Sequence, residues 1–191
     1  MWGFGATLAH EMPELRPTLV DLDLQSDAGL FEEVVSAAGE DRIALRGARR
    51  LLPRLVRHRP NRAEPITLRA DRSYLLTGGL GGLGLVVARR FVERGARHLV
   101  LLGRTGASSV AAQEGVAELQ RLGAVVHVLR ADVANEAELR HAMSACFARM
   151  PPLAGVVHAA GVLDDGILLR LDAERVTRTM APKVRGAYHL H

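Results

Sequence analysis

Between Ser73 and Gly84 an apolar run, Ser-Tyr-Leu-Leu-Thr, ends in five glycines spread over seven residues. An amphipathic stretch, Leu83 to Arg94, follows at once. That is the order of a strand, a tight turn and a helix. Glycine suits such a turn because the chain must reverse sharply and the backbone must approach a ligand with no Cβ in the way. The helix that follows then offers free N–H groups and a partial positive charge to a phosphate. A glycine turn alone is weak evidence and can be purely structural. Here the strand before it and the helix after it are both present, which favours a nucleotide phosphate.

The later chain repeats that unit. Strand Tyr74 to Thr77 leads to helix Leu83 to Arg94, which Gly95 stops. Strand His98 to Leu102 leads to a helix from about Val110 to Leu122. Strand Val125 to Leu129 leads to a helix from Glu136 to Met150, capped by Asn135. Leu139, Met143, Cys146, Phe147 and Met150 share one face of it. Pro151-Pro152 breaks it, strand Leu153 to His158 follows, and Asp172 caps a last helix. Val176, Met180, Val184 and Ala187 are expected to face inward from that helix. Strand–helix units of about thirty residues predict an α/β fold, a Rossmann-like doubly wound parallel sheet with helices on both faces.

Before residue 66 the pattern differs. Met1 to Pro13 is weakly helical, and the large aromatics Trp2 and Phe4 at its start suggest a domain that begins upstream. Thr18 to Leu24 alternates apolar and acidic residues, as in a half-buried strand. Asp27 is placed to cap a helix from Ala28 to Ala38, with Leu30, Phe31, Val34 and Val35 on one face and Gly39 at its end. Arg42 to Arg46 and Arg50 to Val56 read as a hairpin around Gly47-Ala48, with Pro53 keeping the second strand near an edge. Arg57 to Pro65 reads as a linker. The division expected is a partial α/β structural subdomain over 1–62, without chemical motifs, ahead of a nucleotide-binding part over 66–191.

Composition narrows the function. A chain of 191 residues with 48% hydrophobic residues has enough for a packed core, and 4% aromatics makes that core mainly Leu, Val and Ala. A single cysteine, Cys146, excludes a disulfide framework and a Cys-rich zinc site, and no metal is expected. No apolar run approaches the ~18 residues of a membrane span. The N-terminus lacks a secretory pattern, so a soluble cytoplasmic protein is expected. The pI of about 10.1 raises nucleic acid as a partner. The arginines are scattered among acids and stacking aromatics are scarce, so nucleic acid is set aside.

Four further stretches carry chemistry. Gly79-x-Gly81-x-x-Gly84 matches the dinucleotide fingerprint, and Thr77-Gly78-x-x-x-Gly82-x-Gly84 the short-chain reductase form of it, with Leu80 and Leu83 inside the turn. At the end of the second strand, Gly103 stands where an NAD site places an acid about twenty residues on. Arg104 follows, and its planar fork suits a 2′-phosphate, so NADP is preferred to NAD; the alternative is a surface arginine. Asp132, before Val133, either accepts from an adenine amino group or caps a loop. His158-Ala159-Ala160-Gly161 closes the fourth strand with small residues that leave room for ribose and nicotinamide, while a lone histidine such as His158 is more often structural. Leu163-Asp164-Asp165 lies in a loop, where paired acids are usually solvated. Lys183 is the sole lysine among 25 Lys and Arg residues, which suggests a need for a compact ammonium there.

Taken together with Pro182-Lys183-Val184-x-Gly186-Ala187, these motifs resemble the ketoreductase domain of modular polyketide synthases and animal-type fatty acid synthases, within the short-chain dehydrogenase/reductase superfamily. The resemblance spans almost the whole chain. Trp2-Gly3-Phe4-Gly5, Glu11 and Pro13 look like the later half of the family's structural subdomain, and 66–191 like the first two-thirds of its catalytic subdomain. The family is an oxidoreductase that uses NADPH to reduce a β-ketoacyl thioester held by the phosphopantetheine of an acyl carrier protein, in polyketide or fatty acid biosynthesis. Carrier protein and neighbouring synthase domains are therefore the implied partners. The family's active site is Lys, Ser, Tyr and Asn, and Lys183 stands at the lysine. Leu163-Asp164-Asp165 resembles the fingerprint of B-type ketoreductases, which implies a D-configured hydroxyl product.

The chain departs from the family at Gly103, where many members carry Ser, so one 2′-phosphate hydrogen bond is expected to be missing. The family's Ser and Tyr-x-x-x-Asn lie beyond the last helix and are not in these 191 residues. Thr179, four before Lys183, excludes a Tyr-x-x-x-Lys. The expectation is a fragment that is inactive by itself. The alternatives are a non-catalytic dinucleotide-binding or scaffold module and, less favoured, an epimerase-like reductase.

Overall fold

The structure is a computed structural model, and it describes residues 2–23, 29–35, 39–59 and 66–191. The Asp27 cap, Leu24, the two ends of the helix expected over 28–38, and residues 60–65 of the expected linker lie outside the described residues. The chain forms two compact units, Met1–Ala63 with Gly166–Leu171, and Glu64–Asp165 with Asp172–His191.

The first unit holds helix α1 (Trp2–Glu11), a 3-10 turn (Pro13–Leu15), strand β1 (Leu19–Leu22), helix α2 (Leu30–Val35) and strands β2 (Arg42–Arg46) and β3 (Arg49–Leu51). β2 pairs parallel with β1 and antiparallel with β3. Ile43 and Leu45 are buried, on alternate positions of β2. Gly5 is buried in α1, where a Cβ would lie 2.6 Å from Leu19 Cδ1. Two expectations fail here. The second hairpin strand stops at Leu51 instead of running to Val56, because Pro53 has no N–H to pair and restricts Leu52 before it. The apolar face expected on α2 is exposed, with Phe31 73% and Val34 74% accessible. α2 is held to β3 by charge instead: Arg50 donates to both Glu33 oxygens at 2.6 and 2.9 Å.

The second unit alternates β4 (Ser73–Thr77), α3 (Gly82–Glu93), β5 (His98–Gly103), α4 (Val110–Arg121), β6 (Val125–Arg130), α5 (Glu136–Phe147) and β7 (Leu153–His158), and ends in α6 (Ala173–Leu190). Its four strands pair in the order β6-β5-β4-β7, all parallel. This is the Rossmann-like α/β arrangement. The order reverses between β4 and β7, so the crevice lies at the carboxyl ends of these strands. Alternation along β4 sends Tyr74 and Leu76 to a core shared with α3 and α4, and Leu75 to a second core shared with α5. Tyr74 is 5% exposed; its hydroxyl accepts from Arg69 N at 2.8 Å, and its ring meets Phe91 edge-on at 5.6 Å. It is a core residue. Ser109, Asn135 and Asp172 cap α4, α5 and α6 through their side chains.

The last helix docks by a different face from the one its apolar pattern indicates. Val176, Met180 and Val184 are 47–54% exposed, and Ala187 is exposed too. The buried positions are Pro182 and Gly186. A Cβ on Gly186 would lie 2.8 Å from Val133 Cγ1, so only a face without bulk can come this close.

Leu101 is fully buried on β5, and its Cδ2 reaches the glycine turn at Gly79. Leu101→Ala is expected to lower the unfolding free energy by about 2–5 kcal/mol in denaturant titrations.

Candidate functional site

The glycine turn is built by backbone packed on backbone. Gly78 has φ +66°, and a Cβ there would lie 2.6 Å from the Ala159 carbonyl oxygen. A Cβ on Gly79 would lie 2.7 Å from Leu76 O. Gly84, in the first turn of α3, would overlap Gly78 O and stand 2.6 Å from Gly79 Cα. Gly81 caps the helix with no side-chain bond. The first-turn amides at Gly82, Leu83 and Gly84 are of the kind a helix leaves without acceptors of its own, and they meet the positive end of the helix dipole. Gly82 itself has nothing within 4 Å of where a Cβ would be, so no crowding demands glycine there.

Next to the turn is a cleft of about 660 Å³. Of the sequence-predicted cofactor residues, Gly78, Leu80, Gly81, Arg104, Asp132 and Val133 line it, as do Ala159, Ala160 and Gly161. Thr77 is fully buried beneath it. Gly79, Gly82, Leu83 and Gly84 are outside the lining, with Gly79 and Gly84 packed within the turn itself. Lys183 is exposed on α6 and is not in the lining, although its neighbour Pro182 is. Asp132 Oδ1 accepts from Ala134 N at 2.9 Å, so it caps its loop while it also faces the cleft.

Several lining residues were not singled out from the sequence. Thr105, Gly106 and Ser108 continue the loop after Arg104. Their signal was legible, since that loop leaves the carboxyl end of a predicted strand. Arg178 and Arg185 line the opposite wall from α6. They are two helical turns apart and so share a face, but the apolar stripe drew attention to the other side. Among the described residues no three His, Cys, Asp or Glu side chains are grouped to hold a metal, and no helix is long and apolar enough to cross a membrane.

His158 joins three elements. Thr77 Oγ1 and His158 Nδ1 are 2.6 Å apart, and His158 Nε2 lies 2.8 Å from the Pro182 carbonyl oxygen of α6. Ala160 N donates to Thr77 Oγ1 at 3.2 Å. The histidine is thus tied into the framework, as the structural alternative held.

The acidic loop is not simply solvated. Asp164 Oδ1 accepts from Arg175 at 2.7 Å, and Oδ2 pairs with Arg178. These bonds, chiefly the one from Arg175, hold the Asp164 carboxyl at about 2, below its ordinary 3.8. Leu163 is 86% exposed.

A depressed carboxylate pKa means that the clamp contributes fully above pH ~4 and is lost as the pH falls toward ~2. Carboxyl NMR titration should give Asp164 a midpoint near 2, and Arg175→Met should move that midpoint up toward the ordinary value of 3.8. Gly84→Ala raises helix propensity by about 1 kcal/mol in open surroundings. Here the overlap with Gly78 O reverses the sign, and the variant is expected to melt below the parent in thermal unfolding.

Comparison with known proteins agrees with this geometry. Residues 72–191 match the model of the KR domain. Polyketide synthase GfsA of Streptomyces halstedii is 43% identical over 195 residues, covering 100% of this chain and 2% of that protein. The 5-methyl-1-naphthoate synthase of Streptomyces sahachiroi is 37% identical over 209 residues, covering 100% of this chain and 12% of that protein. The chain therefore spans a small part of these relatives. Among solved structures, an A1-type ketoreductase superposes with a TM-score of 0.84 at 36% identity, over 100% of this chain and 41% of that one. The ketoreductase of the first module of phoslactomycin biosynthesis in Streptomyces sp. HK803 superposes at 0.90 and 34% identity, over 99% and 45%. A matched family model over most of the chain, on a parallel sheet with a glycine turn at its switch point, makes this chain a member of the ketoreductase domains of modular polyketide synthases, in the short-chain dehydrogenase/reductase superfamily.

Proposed function

We propose that the chain supplies the cofactor-holding part of an NADPH-dependent β-ketoacyl reductase. In this reading a β-ketoacyl thioester on the phosphopantetheine of an acyl carrier protein becomes the β-hydroxyacyl thioester. Carrier protein and the other domains of a synthase are its partners. The observation that supports this best is a single cleft running from the glycine turn past Arg104 and Asp132 to Gly161.

The residues fit the cofactor because the cradle exists only where Cβ atoms are missing. The turn backbone and the start of α3 take the pyrophosphate. Arg104 takes the 2′-phosphate, and the absent serine at Gly103 leaves the hydroxyls of Thr105 and Ser108 on the same loop to share it. Ala159, Ala160 and Gly161 leave room for ribose and nicotinamide. The bound cofactor supplies a hydride. Lys183 places a cation that lowers the pKa of a tyrosine hydroxyl, which protonates the ketone oxygen. Residues 1–191 hold no Tyr-x-x-x-Asn, so by themselves they bind cofactor without turning it over. Leu163-Asp164-Asp165 supports a B-type, D-configured product. The A1-type structure that superposes here shares the fold, and a fold does not set stereochemistry.

Arg104→Ala tests the reading by fluorescence titration. One charge-assisted hydrogen bond is worth roughly 1.5–3 kcal/mol. The variant should therefore lose about 10- to 100-fold in NADPH affinity and change little toward NADH. Equal losses for both would overturn the 2′-phosphate assignment. Absence of NADPH binding in the parent would favour a scaffold role instead.

A further inference from the structure

We infer that His158 is a positioning residue that ties the floor of the cleft to the turn of α6 carrying Lys183. The inference rests on Lys183 as the catalytic lysine proposed above. A carbonyl oxygen can only accept, so His158 Nε2 must be the donor to Pro182 O at 2.8 Å. In the neutral ring Nδ1 is then an acceptor, and Thr77 Oγ1 donates to it at 2.6 Å. The Thr77 oxygen in turn accepts from Ala160 N at 3.2 Å. The chain of donors runs in one direction, from the Ala160 amide through Thr77 and His158 to α6.

Each end of this chain is a functional element. Ala160 lines the cleft, at the end that the proposed function gives to ribose and nicotinamide. Pro182 precedes Lys183 in sequence, so holding its carbonyl fixes the peptide from which the lysine side chain departs. Thr77 is fully buried and Pro182 is buried, which keeps water from substituting for either bond. Gly186, one turn on, lets α6 approach to within 3.4 Å of His158 Cε1 at the position a Cβ would take. Proline adds to the need for an outside tie. It removes the i→i−4 hydrogen bond to the Arg178 carbonyl from the middle of α6, and the bond from His158 to the Pro182 carbonyl ties that weakened turn from outside without replacing the lost bond.

Two variants, made in a ketoreductase domain that joins residues 1–191 to a segment carrying Tyr-x-x-x-Asn so that turnover can be read, separate the arms. In His158→Asn the amide sits near Nδ1 and keeps the Thr77 bond, but it is too short to reach Pro182. In His158→Gln the amide reaches the position of Nε2 and keeps the bond to Pro182. His158→Asn is expected to speed amide hydrogen exchange at residues 183–186 by roughly tenfold or more. It should lower kcat about 10- to 100-fold, the effect of a small misplacement of a reacting group, with the NADPH Kd changed by no more than about threefold. His158→Gln should recover most of both. Equal damage in the two variants, or unchanged exchange at residues 183–186 in His158→Asn, would overturn the inference.

Lys183→Ala, assayed in parallel, keeps the two readings apart. If it leaves kcat intact, the catalytic reading of the lysine fails, while the exchange data still decide whether His158 holds the turn. Should His158→Asn not fold, nitrogen-15 NMR of the parent decides. A proton on Nε2 supports the inference and a proton on Nδ1 of the neutral ring overturns it.

Discussion

Backbone touches backbone at the end of β4, and the site depends on that contact. The carbonyl of Gly78 lies where a side chain on Gly84 would be, and the carbonyl of Ala159 lies where a side chain on Gly78 would be. Three segments, the β4–α3 turn, the first turn of α3 and the end of β7, therefore meet at van der Waals distance without side chains between them. This closeness aims the amino end of α3 at the cleft and brings β7's carboxyl end beside it. A methyl group at either glycine would push the helix away from the strand and move the phosphate cradle as a whole.

The parts of this arrangement that were legible in the sequence are those set by local chemistry. β4 is buried at all five positions, so it shows no alternation, yet the glycines after it marked its end. Asn135 and Asp172 were recognisable as caps because a short polar side chain before an amphipathic run has few other uses. What was not legible is which face of a helix meets its neighbours. The hydrophobic stripe on α6 pointed to Val176, Met180 and Val184, but the packed face is Pro182 and Gly186. Apolar periodicity reports a preference to leave water, and it says nothing about how close a neighbour must come. Close approach selects small residues, which score weakly on any hydrophobic pattern. The same gap hid Arg178 and Arg185 in the cleft wall.

The charge of the chain becomes more specific once it is placed. Many arginines sit in exposed pairs, such as Arg89 and Arg90 with Glu93 and Arg140 with Glu136, which contribute little to stability. The cleft differs. Arg104, Arg178 and Arg185 line it against one lining acid, Asp132, whose Oδ1 is engaged by its own loop; Arg178 is also paired with Asp164 outside the lining, so the excess rests on Arg104 and Arg185. A concave wall with this excess of positive charge focuses potential on an anionic ligand. The high pI is thus partly a property of one site rather than of a surface suited to any polyanion.

α6 is the element on which the loops of the strand ends converge. Asp164, beyond the end of β7, is held by Arg175 and Arg178 near the start of the helix. His158, at the end of β7 itself, is held at Pro182 in its middle. Val133, beyond the end of β6, is held near its end, where His189 Nδ1 donates to the Val133 carbonyl at 3.0 Å and Gly186 packs on the valine side chain. Three attachments along one rigid rod fix three loops relative to one another, since a helix bends far less readily than a loop. The clamp also engages the Asp164 carboxylate, while its neighbours Leu163 and Asp165 stay exposed on either side of it. Whatever moves α6 therefore moves the cleft wall, the acidic loop and Lys183 together, and a helix with a proline at its centre needs ties of this kind to hold them in one register.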